Sequence, residues 1–110
     1  MRILAMDTAT SGCSVALWQD GGIPARRAAA MARGQSEALL PMIAEVLGEA
    51  QITATDCDLI AVTRGPGAFT GLRIGLATAR AMALAAGLPC LGVDTTDVVA
   101  RGVAAEAITG

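Results

Sequence analysis

Two stretches of this sequence carry residues that could do chemistry. The first is Asp7-Thr8-Ala9-Thr10. A carboxylate at the end of an apolar run, followed by hydroxyls on a turn, can hold a phosphate and its Mg²⁺. The same side chains can instead hydrogen-bond the backbone of their own turn. Asp7, Thr8 and Thr10 are therefore weak nucleotide-binding candidates. The second stretch is Thr63-Arg64-Gly65-Pro66-Gly67-Ala68-Phe69-Thr70-Gly71-Leu72-Arg73-Ile74-Gly75. Proline fixes its own φ and glycine accepts positive φ, so Gly65-Pro66-Gly67 predicts a tight loop. Thr70 is placed to cap a following helix, whose free N–H groups would favour an anion. The spacing is neither GxGxxG nor GxxxxGK[ST], and the chain has no lysine. Close packing is the better reading of these glycines. Gly71, Gly75 and Ala79 fall at i, i+4 and i+8, one stripe of minimal side chains that another backbone can approach.

The missing residue types exclude more than the present ones suggest. There is no histidine, which removes imidazole metal sites, Ser-His-Asp triads and histidine acid–base chemistry. Cys13, Cys57 and Cys90 show no CxxC spacing and are expected as reduced thiols, partly buried. Net charge is −2 with one Trp and one Phe. A domain that grips nucleic acid by itself would show a basic patch and stacking aromatics, so no strong direct nucleic-acid binding is expected. Arg73 and Arg80 interrupt the most apolar segment, and the first residues lack the apolar core of a signal peptide. No membrane association is expected, and the expected compartment is the cytoplasm.

At 110 residues, 54% of them hydrophobic, the chain suffices for one domain with an Ala/Leu/Ile/Val/Met core. Arg2–Met6 and Cys13–Trp18 read as strands separated by the turn Thr8–Gly12. Asp20-Gly21-Gly22 is a second turn, so an antiparallel meander follows. Segment 23–33 is torn between strand and the helix propensity of Ala28-Ala29-Ala30-Met31; strand is chosen. Ser36 is a candidate N-cap for a helix over 36–50, with Leu39, Leu40, Ile43, Val46 and Leu47 in its apolar stripe. Pro41 implies either a kink or a regular start at that residue. Leu59–Thr63 reads as a buried strand, 70–86 as a helix stopped by Gly87 and Pro89, and Cys90–Val93 as a strand. Asp94-Thr95-Thr96 would cap a last helix reaching about Ala107. The strand–helix–strand unit over 59–93 makes its two strands parallel. The expected fold class is α/β, a mixed five-stranded sheet in the order β-β-β-α-β-α-β-α.

That order, with Asp7-Thr8-Ala9-Thr10 at the first turn and the 64–75 motif in the middle, resembles the bacterial TsaB family. Ser36-Glu37 before Leu39-Leu40-Pro41, Ile60-Ala61-Val62 before the Gly-rich loop, and Gly92-Val93 in the last strand add to the likeness. Gln35 stands where most family sequences have histidine. The resemblance implies an actin-like/ribonuclease-H-like fold, with residues 1–110 forming the N-terminal lobe and a second lobe missing. It implies a non-catalytic subunit in the synthesis of threonylcarbamoyladenosine at position 37 of tRNA. Such a subunit binds and supports the TsaD transferase, with the TsaE ATPase joining them. It also implies a homodimer through helices 36–50 and 70–86. No cofactor is expected in this lobe, ATP and Mg²⁺ being candidates only for the full complex. The expected partner interface is Leu39, Ile43 and Leu47 together with Gly71, Leu72, Gly75, Leu76 and Ala79. The alternatives are a nucleotide-binding or phosphotransfer protein using Asp7, Thr8 and Thr10, and, behind it, a metallopeptidase.

Overall fold

The computed structural model describes residues 1–9, 12–31, 34–66 and 69–94, with the side chain of Phe69 left aside. The expected final helix lies outside the described residues, as does Thr10. Three strands open the chain: β1 (Arg2–Asp7), β2 (Gly12–Gln19) and β3 (Gly22–Ala30). They form the expected meander, β1 antiparallel to β2 and β2 antiparallel to β3. Asp20 and Gly21, both at positive φ (50° and 87°), make the two-residue turn between β2 and β3. This is the backbone that matches the twist of adjacent strands. Ala28-Ala29-Ala30 pair with Ser14, Cys13 and Gly12, so sheet pairing overrides their helix propensity.

Helix α1 (Gln35–Glu49) leads to β4 (Leu59–Gly65), α2 (Phe69–Ala86) and β5 (Cys90–Asp94). Both β4 and β5 are parallel additions, giving the sheet order β3-β2-β1-β4-β5. Two local expectations change. Gly34, not Ser36, is the N-cap of α1, and Thr70 lies inside α2 as its second residue. Glycine at φ 98° turns the chain into α1 without a side-chain cap. Pro41 sits inside α1, which starts six residues before it. The end of α2 follows the sequence signal. Gly87 takes φ 70°, its N–H bonds to the Leu84 carbonyl, and the Leu88 N–H bonds to that of Ala83, a Schellman closure.

One face of the sheet carries the core. Leu4 and Met6 of β1 stand in register with Leu17 and Val15 of β2 and with Ile60 and Val62 of β4. Leu39, Met42, Ile43 and Val46 of α1, with Ala79 and Ala83 of α2, close over them. Each large aliphatic side chain withdrawn here contributes about 1.5–3 kcal/mol of transfer free energy. The two helices thus lie side by side on one face of the sheet, α1 over β2 and β3, α2 over β4 and β1. Among the described residues no helix is long and apolar enough to cross a membrane.

A short 3₁₀ turn, Ala54–Asp56, carries α1 into β4. The Thr53 N–H donates to the Asp56 carboxylate at 2.8 Å, and this bond holds the Asp56 pKa below its ordinary value. A depressed carboxylate contributes stability that is present above its unfolded pKa, about 4, and lost as pH falls through the folded value. Urea midpoints measured from pH 5.5 to pH 3 should therefore decline. The decline should be shallower in Asp56→Asn, which has no charge to lose.

Candidate functional site

The ends of β1, β3 and β4 and the start of β2 lie together at the carboxyl end of β1, beside the starts of α1 and α2. Asp7 closes β1, and its Oδ1 accepts two hydrogen bonds. One comes from the Ala9 N–H at 2.9 Å, the other from the Thr63 hydroxyl at 2.8 Å. The first is the local turn bond that Asp commonly makes two residues on. The second crosses to β4 and joins the two parallel strands. Since Thr63 is buried, Asp7→Ala orphans its hydroxyl, and a loss of about 1–3 kcal/mol is expected. Asp7→Asn keeps an acceptor oxygen and should lose less; urea denaturation of both variants measures the difference.

A groove of about 300 Å³ opens beside Asp7, lined by Gly12, Cys13, Ser14 and Ala28-Ala29-Ala30. Thr8 does not line it. Thr8 is fully buried, and its hydroxyl donates to the Gly71 carbonyl of α2 at 2.5 Å. Of the two candidates among the described residues, Asp7 lines the groove and Thr8 does not. Thr8 is drawn to the opposite side of β1 because strand side chains alternate. Cys13 is buried and its pKa is raised, first by desolvation and then by the nearby Asp7 charge. It is a protonated thiol, a poor nucleophile. Cys57 is buried and raised for the same leading reason, whereas Cys90 is exposed. Among the described residues no three His, Cys, Asp or Glu side chains stand together as a metal site. Farther along the same edge the Arg64 guanidinium pairs with Asp94 at 2.7 Å and lowers its carboxyl pKa.

Thr8 also explains the small-residue stripe. A β-carbon on Gly71 would collide with the Thr8 carbonyl oxygen, and one on Gly75 with the Thr8 hydroxyl. Gly71, Gly75 and Ala79 are all buried against this chain's own sheet. The close approach expected for a partner is thus made by β1 of the same chain. Leu39 and Ile43 are core residues as well, with Leu47 packed at the margin. Leu72 and Leu76 are half-buried. The expected interface therefore consists largely of residues that hold the fold together. Gln35, at the start of α1, is also buried, with its amide beside Gly71.

The outward rows of the two helices are what solvent meets. On α1 these are Glu37, Leu40, Pro41, Ala44, Glu45 and Gly48; on α2 they are Arg73, Ala77, Arg80, Ala81, Leu84 and Ala85. Leu84 is 86% exposed and Leu40 57%, high values for leucine on neighbouring helices. The α1 row is acidic and the α2 row basic. Sequence reasoning missed Leu84 because an Ala/Leu-rich helix looks alike on every side.

Residues 16–109 match the family model described as "TsaD: tRNA N6-adenosine threonylcarbamoyltransferase". The tRNA threonylcarbamoyladenosine biosynthesis protein TsaB of Escherichia coli K12 is 46% identical over 102 residues, 93% of this chain and 44% of that protein. The Haemophilus influenzae protein of the same name is 36% identical over 92% of this chain and 42% of its own. The chain spans less than half the length of these relatives. YeaZ from Pseudomonas aeruginosa superposes with a TM-score of 0.88 at 37% identity, covering 96% of this chain and 49% of that one. The fold is accordingly of the actin-like/ribonuclease-H-like class. A RuvC from T. thermophilus, 12% identical with a TM-score of 0.59, shares the fold alone.

Proposed function

The chain belongs to the TsaB/YeaZ family, and on that premise we propose that it serves threonylcarbamoyladenosine synthesis as a non-catalytic subunit that docks on a TsaD-type transferase. The observation that carries the docking half is the exposed pair of helical rows. Leu40, Ala44, Ala77, Ala81 and Leu84 are the apolar positions of a surface contributed by two adjacent helices. Exposed leucines of this kind are candidate contact points for a partner. The non-catalytic half rests on chemistry. The chain has no histidine, the Cys13 thiol is buried and held protonated, and Thr8 is committed to α2.

On this reading the partner packs a helix pair against α1 and α2 to form a four-helix layer between two sheets. The α1 row carries Glu37 and Glu45, the latter already paired with Arg27, and the α2 row carries Arg73 and Arg80; a second copy of the chain is the competitor expected for the same face. A TsaE-like ATPase joins the assembled pair. Contact with tRNA falls to the partner, in keeping with the net charge of −2. Reconstituted transfer onto tRNA tests the proposal. This protein should raise the rate when the transferase is present and give none alone. Transfer by this protein without the transferase would overturn the non-catalytic reading.

A further inference from the structure

We draw no further inference here: the strongest candidate, the sheet face opposite the helices, where Ile3, Trp18 and Leu59 stand part-exposed in one register row with Leu91 beside them, carries nothing because nothing among the described residues shows what covers it.

Discussion

Replacing Gly75 by alanine should destabilise the fold by about 2–3 kcal/mol, the cost of forcing an extra carbon into a filled site. Helix propensity alone argues the other way, since Gly→Ala inside a helix is worth about 1 kcal/mol in favour of alanine. A net loss therefore reports the collision with the Thr8 hydroxyl. The remaining neighbours of that β-carbon are Thr8 Cβ and Val62 Cγ2, each at 3.5 Å, which is ordinary contact. Removing the hydroxyl should accordingly relieve the strain. Thr8→Ala costs about 1 kcal/mol by itself through the lost bond to Gly71. The double variant Thr8→Ala/Gly75→Ala should be about 1–3 kcal/mol more stable than the two single losses predict when added. Gly71→Ala offers a control. Its β-carbon meets the Thr8 carbonyl, a backbone atom that Thr8→Ala leaves in place, so no rescue is expected there. Urea titrations of the four proteins decide it. Additive losses for Thr8 and Gly75 would mean that the contact is not the source of the strain.

The second large effect concerns association. Leu84→Arg should weaken binding to a TsaD-type transferase by at least about 30-fold, the scale of a hot-spot side chain worth about 2 kcal/mol. Stability should change by no more than about 0.5 kcal/mol, because Leu84 is 86% exposed and contributes nothing to the core. The same substitution should shift the chain from dimer to monomer if a second copy uses that face. Leu40→Glu, on the adjacent α1 row, should act in the same direction. Gly75→Leu is a poor probe of docking: it would break the packing of α2 on β1 before it could report on a partner. Variants facing the sheet should lower the urea midpoint, and variants facing outward should lower the affinity.

Much of the architecture was legible in the sequence because punctuation residues and strand composition agree. Asp20-Gly21 sits where a two-residue turn needs positive φ, and Gly87 stands where α2 needs a left-handed closing residue. Leu59–Val62 reads as buried strand and is one, bonded on both sides. Segment 23–30 was harder, since three successive alanines favour helix locally, and only pairing with β2 decides the matter. What the small-residue stripe packs against was not legible. A stripe of Gly71, Gly75 and Ala79 states that something comes close, but sequence carries no mark of whether that neighbour is foreign or the chain's own β1. Leu39 and Ile43 at helical spacing likewise describe a packed side without saying what packs there. Once the stripe is assigned to the sheet, the outward row of α2 follows from the 3.6-residue period: residues 73, 77, 80, 81 and 84. Thr8 parts from Asp7 for a related reason. Alternation along β1 sends its side chain to the helix side and Asp7 to the other, so two adjacent polar residues share no site.

The most direct measurement is the molar mass in solution of this chain mixed with a TsaD-type transferase, taken by light scattering on the eluting peak. The expected result is one species at the summed mass of one copy of each for the unaltered chain, resolving into separate components for Leu84→Arg at the same urea midpoint. Separate components for the unaltered, folded chain, or an intact complex with Leu84→Arg, would contradict docking through the outward face of α1 and α2.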